Sequence, residues 1–328
     1  RESHADVGDK ATDAVRINGN QVRAKVIGEG GNLGMTQLGR VEFALSGGSS
    51  YTDFIDNAGG VDCSDHEVNI KIMLNEIVAS GDMTMKQRNK LFMDMTDAVS
   101  TLVLSNNYRQ TQAIALAHRE CEERMDEYVS LIRDFEESGK LNRALEYLPD
   151  EETISERKLN GQGLTKPELS ILISYAKADL KERLNLEAIS QDTYLSTIVE
   201  TAFPQKLVDD YHGPVMNHKL RSEIVATQLA NDLVNYMGIT FVNRLTESTG
   251  ATVVEVARAY VAARDVFGLH ELWSHIEALD YQIPAHVQAD MMSRLMRLVR
   301  RASRWFLRNR RSDMDVAAEV KSFKASAD

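Results

Sequence analysis

Gly28-Glu29-Gly30-Gly31-Asn32-Leu33-Gly34-Met35-Thr36, followed some twenty positions later by Asn57-Ala58-Gly59-Gly60-Val61, are the stretches from which the rest of the chain is read. Each follows a short apolar run and precedes a segment of helical pattern. Glycines at such a junction let the backbone take positive φ and let a ligand approach without Cβ atoms in the way. The free N–H groups of the following helix suit phosphate or polarised oxygen. That is the pattern of a nucleotide-binding crevice, although the same glycines also serve plain turns. Ala24-Lys25-Val26-Ile27 fits a short buried parallel strand. A helix is predicted from about Met35 to Leu45, closed by Gly47-Gly48. The order helix, strand, loop, helix, strand predicts an α/β region with a parallel sheet and ligands at the carboxyl ends of its strands.

The 328 residues, 43% hydrophobic, suffice for a sizeable core and two domains. A net charge of -11 argues against general affinity for nucleic acid. No apolar run approaches the roughly 20 residues needed to span a bilayer, so no membrane partner is expected. Cys63 and Cys121 make no disulfide framework, and a reducing, cytoplasmic setting is expected. The chain opens Arg1-Glu2-Ser3-His4 directly into a helical pattern, which reads as a piece of a longer polypeptide. No Gly-x-Gly-x-x-Gly loop precedes the first strand, so the pyrophosphate-binding turn of such a crevice is expected upstream.

Val26-Ile27-Gly28-Glu29-Gly30-Gly31-Asn32 and Asp53-Phe54-Ile55-Asp56-Asn57-Ala58-Gly59-Gly60-Val61-Asp62-Cys63-Ser64 resemble the C-terminal half of the coenzyme-binding domain of glutamate dehydrogenases. The resemblance is closest to the very large NAD-specific bacterial branch. Gly163-Leu164-Thr165-Lys166-Pro167-Glu168-Leu169 and the run from Arg304 to Arg311 are also similar to that branch. The resemblance implies α/β followed by all-α: the C-terminal half of a Rossmann-like domain over 1–80, joined to a multi-helix domain over 81–328. It implies NAD as cofactor, L-glutamate and 2-oxoglutarate as substrates, the upstream part of the same polypeptide as a partner, and a homo-oligomer. The coenzyme-binding residues it implies are Gly30, Gly31, Asn32, Asn57 and Gly59, with Asn57 facing the nicotinamide. Glycine stands at 31 where many relatives have alanine. Ser64, seven residues after Asn57, falls where the family places a serine that binds a substrate carboxylate. The catalytic lysine and acid are expected upstream, so the chain alone is expected to be inactive. Without the resemblance, both asparagines read as residues that tolerate left-handed turns, and Ser64 with Glu67 reads as a capping box.

Cys63-x-x-His66 and His118-x-x-Cys121 together offer the ligand set of a structural zinc site. No knuckle turn accompanies them, and no metal is expected. Helices are predicted from Ala5 to about Ile17, then to Ser80-Gly81, from Thr84 to a break at Asn106-Asn107, and from Gln110 to Glu137. Thr84/Gln87 and Thr165/Glu168 are predicted capping boxes. In the helix after Pro284, Met291, Leu295, Leu298, Ala302 and Trp305 fall on one side as an apolar stripe. Arg294, Arg297, Arg301, Arg304 and Arg308 form an opposite stripe, read as a solvated or ion-paired face, or a contact for an acidic partner. Ser312 to Asp328 reads as a linker or frayed tail. An assembly module without activity of its own is the alternative reading of the helical region.

Overall fold

A computed structural model describes residues 3–186, 189–310 and 314–327. In chain order its helices are α1 (His4–Val7), α2 (Gln37–Leu45), α3 (Asp53–Asp56), α4 (Ala58–Ala79), α5 (Met85–Asp94), α6 (Thr96–Glu120), α7 (Met125–Glu137), α8 (Glu151–Leu159) and α9 (Lys166–Leu186). After them come α10 (Gln205–Asp210), α11 (His212–Met216), α12 (Arg221–Met237), α13 (Phe241–Thr249), α14 (Val253–Val266), α15 (Leu269–Glu277), α16 (Ala285–Asn309) and α17 (Val316–Ala327). A 3-10 helix at Leu195–Ala202 precedes α10.

The expected α/β region is not found. The described residues are all-α, and the one strand-like pairing among them is a single parallel bridge between Val26 and Ser49. Two hydrogen bonds make it: Ser49 N–H to the Lys25 carbonyl at 2.9 Å, and Ile27 N–H to the Ser49 carbonyl at 3.0 Å. A parallel strand is stable only between neighbours and with both faces covered. Val26, expected to be buried, is 71% exposed, so neither condition holds and no Rossmann-like sheet forms here.

The described chain divides into two compact units, residues 1–58 with 117–173, and residues 59–116 with 174–328. The first unit buries Val41, Phe43 and Ile55 around α2 and α3, and Tyr128, Ile132 and Phe135 on α7. The second buries Leu229 and Leu233 on α12, Tyr260 on α14, Trp273 on α15 and Phe306 on α16.

Several helix ends follow local chemistry. Thr84 and Gln87 make both hydrogen bonds of their capping box, and so do Thr252 and Glu255. Gly81, Gly139 and Gly250 take positive φ just past helix ends. Other boundaries differ from the sequence reading. The first helix stops at Val7, because the Asp9 carboxylate accepts from Ala11 N–H and the Thr12 hydroxyl and so holds a turn that competes with helix. α6 runs through Asn106-Asn107, where Asn106 donates to the Asp62 carboxylate at 2.9 Å, and the break comes earlier, at Met95. The buried stripe of α16 is Met292, Met296, Val299, Ser303 and Phe306, one position on from the apolar stripe read in the sequence. α17 replaces most of the expected tail, while Arg311, Ser312 and Asp328 lie outside the described residues.

Candidate functional site

The two asparagine-bearing turns lie side by side within the first unit. Asn57 Nδ2 donates to Asn32 Oδ1 at 2.9 Å. Asn57 ends α3 and immediately precedes α4, with φ of -100°. It is therefore not a left-handed turn residue, and neither is Asn32: the positive φ in the glycine loop belongs to Leu33, at 64°. Two amides sharing one hydrogen bond leave an acceptor, Asn57 Oδ1, and a donor, Asn32 Nδ2. That is the complement of a ligand carboxamide or a similar donor–acceptor pair. Cβ atoms added at Gly30 or Gly31 would meet nothing within 4 Å, so the backbone beside the amide pair is open to close approach. Gly59 lies in the first turn of α4.

A buried ionic latch that the sequence reading did not foresee holds these turns together. Glu29, inside the glycine loop, and Arg40, on α2, are each 5% exposed. Arg40 donates from Nε to Glu29 Oε2 at 2.5 Å and from Nη2 to Glu29 Oε1 at 3.0 Å. Its Nη2 also lies 3.3 Å from Asp53 Oδ1. The carboxylates in turn take up loop backbone donors. Glu29 accepts from Met35 N–H at 3.0 Å, Asp53 from Leu33 N–H at 3.0 Å, and Asp56 from Glu29 N–H at 2.9 Å. One guanidinium thus ties the Asn32 loop to the helix that carries Asn57. Burial works against its charge, but Glu29 and Asp53 more than compensate and raise Arg40 above its ordinary value. Burial also raises the Asp53 carboxyl, yet the Leu33 N–H and Arg40 outweigh it and hold that group below the usual carboxylate range. Burial, with Glu29 close by, leaves Asp56 raised. The only sequence signal was an arginine eleven residues after a glutamate, a spacing that no helical face or motif explains.

The Gly163–Glu168 stretch packs in the same unit. Glu168, 1% exposed, accepts from Thr165 N–H and Oγ1, both at 2.7 Å; the carboxylate-to-backbone bond is the one half of the expected capping box that forms. It also receives Arg157 Nη1 at 2.8 Å and Nη2 at 2.9 Å. Lys166 donates to Ser49 Oγ at 2.9 Å and sits over the Tyr51 ring, while the Pro167 carbonyl accepts from Gln37 of α2 at 3.2 Å. A cavity of about 710 Å³ opens beside this region, with Arg143, Tyr147, Asp150 and the Arg157–Glu168 pair among its lining.

Ser64 belongs to the second unit. It stands in the second turn of α4, which begins at Ala58, and its hydroxyl donates to the Gly60 carbonyl at 3.1 Å. Glu67 pairs with Lys71, so no Ser64–Glu67 capping box forms. His66 is buried with Nδ1 on the Ala202 carbonyl at 2.9 Å. Cys63 is exposed, whereas Cys121 is buried, accepts Leu164 N–H at 3.2 Å, and is pushed up to about 11 by burial. Among the described residues no group of three or more His, Cys, Asp or Glu side chains could hold a metal ion.

Residues 1–117 match the family model described as bacterial NAD-glutamate dehydrogenase, catalytic domain, and residues 161–328 match that described as glutamate dehydrogenase, C-terminal. The chain belongs to the NAD-specific glutamate dehydrogenase family. It is 60% identical over 323 residues to the NAD-specific glutamate dehydrogenase of Pseudomonas aeruginosa, covering 98% of this chain and 20% of that protein. To the NAD-specific glutamate dehydrogenase of Halomonas elongata it is 54% identical over 309 residues, covering 94% and 19%. To that of Mycobacterium tuberculosis it is 43% identical over 325 residues, covering 99% and 20%. The chain therefore spans about a fifth of the length of the curated relatives it matches. Within the family match, the glycine loop, the latch and the amide pair all fall in the stretch similar to the catalytic domain. Among the described residues no helix is long and apolar enough to cross a membrane.

Proposed function

We propose that this chain acts as part of an NAD-specific glutamate dehydrogenase, which converts L-glutamate and water to 2-oxoglutarate and ammonium while a hydride passes to NAD. The observation that supports this reading most directly is the Asn57–Asn32 amide pair, latched through Arg40 beside open glycine backbone. Its free donor and acceptor match the nicotinamide carboxamide, which would fix the ring face presented for hydride transfer. In this reading Gly30, Gly31 and Gly59 give the coenzyme room, and Ser64 contacts a substrate carboxylate. The acid–base residues and the pyrophosphate turn come from the upstream part of the polypeptide, in a cytoplasmic homo-oligomer.

The test uses the full-length enzyme and the 328-residue chain in parallel. Asn57→Ala in the full-length enzyme should raise the KM for NAD about tenfold or more, the cost of roughly 1.4 kcal/mol of coenzyme binding, with the unfolding midpoint unchanged. The shorter chain should give no glutamate-dependent NADH. An unaltered KM for NAD in Asn57→Ala and Asn32→Ala alike would remove the amide pair from the coenzyme site.

A further inference from the structure

At about 100° per residue the surface of α16 divides into three sectors. Met292, Met296, Val299, Ser303 and Phe306 are buried. On the far side Arg294, Arg297, Arg301 and Arg308 are exposed. Between these sectors runs a narrow strip of Met291, Leu295, Leu298, Ala302 and Trp305, spaced alternately by four and three residues. Its anchors are left open: Met291 is 37%, Leu298 39% and Trp305 44% exposed.

Among the described residues none of Arg294, Arg297, Arg301 and Arg308 forms an ion pair, and the pair at this end of α16 is that of Arg310 with Glu319. Arg294, Arg297 and Arg301 line a groove around Leu298. Arg304 donates to the Ser248 hydroxyl at 3.4 Å, and among the described residues its buried Nε has no partner. α16 carries six arginines and one aspartate in a chain of net charge -11, so composition does not account for the cluster.

Spacing and charge together select one occupant. A strip repeating at four and three residues is the seam on which a second helix packs. It is narrower than the broad apolar face by which a helix lies in a membrane surface. Pairing of α16 with another α16 would bring two arginine rows together and is disfavoured. Trp305 is held in place by edge contacts with Phe306 at 5.4 Å and Phe323 at 5.6 Å, so it can anchor a partner at little entropic cost. We propose that α16 docks an acidic amphipathic helix whose apolar residues seat on Met291, Leu298 and Trp305 while its carboxylates meet Arg294, Arg301 and Arg308.

Two labelled peptides of about four heptads test this, both with leucine on the four–three seam, one flanked by glutamate and the other by lysine. Fluorescence anisotropy with the 328-residue chain should show the glutamate peptide binding at least about tenfold more tightly, by a margin that shrinks as salt is raised. The triple variant Arg294→Glu/Arg301→Glu/Arg308→Glu should reverse the preference, and Leu298→Asp should weaken both peptides. All four positions are exposed, and circular dichroism checks that the variants stay folded. Equal binding of the two peptides, binding of neither, or binding indifferent to both variants would overturn the proposal. Tighter binding of the chain to phosphatidylserine vesicles than to the glutamate peptide would overturn it in favour of a lipid surface.

Discussion

Arg40 is the residue on which the candidate site turns, because its guanidinium serves Glu29 and Asp53 at once with little access to water. Removing one partner of such a pair leaves an uncompensated buried charge. Glu29→Gln should therefore lower stability by about 3 kcal/mol in urea unfolding, whereas Asn57→Ala, at the surface of the same cluster, should cost well under 1 kcal/mol. Lys177 offers a second single-residue test. It donates to Gln110 at 2.8 Å, and burial pulls it from 10.5 down to about 7. Between those values the unfolded chain holds a proton that the folded chain has released, so this group's contribution to stability improves as pH rises. Lys177→Met should therefore gain most over the wild type at and below pH 7, with the gain shrinking toward pH 10; a pH-independent difference would contradict the assignment. At this scale Asn32 and Asn57 were legible, since each sits in a motif with its glycines. The latch was not, because Arg40 reads as one more polar residue on a short helix until the fold brings the loop beneath it.

Among the elements, legibility followed the range of the interaction. Capping boxes are local, and Thr84 with Gln87 was readable from four residues. Thr84→Ala should cost about 1 kcal/mol, measurable as a lower unfolding midpoint, and Thr252→Ala should do the same. The direction in which a helix faces depends on what packs against it. On α16 two apolar strips lie side by side, and the sequence alone did not say that Met292, Met296 and Val299, rather than Met291, Leu295 and Leu298, meet the core. The expected strand Ala24–Ile27 failed for a similar reason: extended backbone needs a neighbouring ladder, and its only partner among the described residues is the segment at Ser49.

For the molecule as a whole, Asp232 joins three helices. From α12 it accepts Arg264 Nη1 and the Tyr260 hydroxyl of α14 at 2.8 and 3.1 Å, and it lies 2.6 Å from His270 Nε2 of α15. Burial pushes its carboxyl up, but His270 and Arg264 outweigh that and hold it well below the usual carboxylate range. A carboxylate with a depressed folded value stabilises above its unfolded value, near 3.9, and loses that contribution as pH falls below it. Asp232→Asn should therefore cost about 3 kcal/mol at neutral pH, with the gap from wild type closing below about pH 4, as followed by urea unfolding across pH. The two cysteines also divide the molecule, and that division gives a chemical handle. Alkylation at pH 8 under native conditions should add one equivalent, at Cys63, because Cys121 is enclosed and its thiol stays protonated there. A dye placed at Cys63 would sit next to Ser64 with no engineered mutation, and its emission could be titrated directly with dicarboxylates.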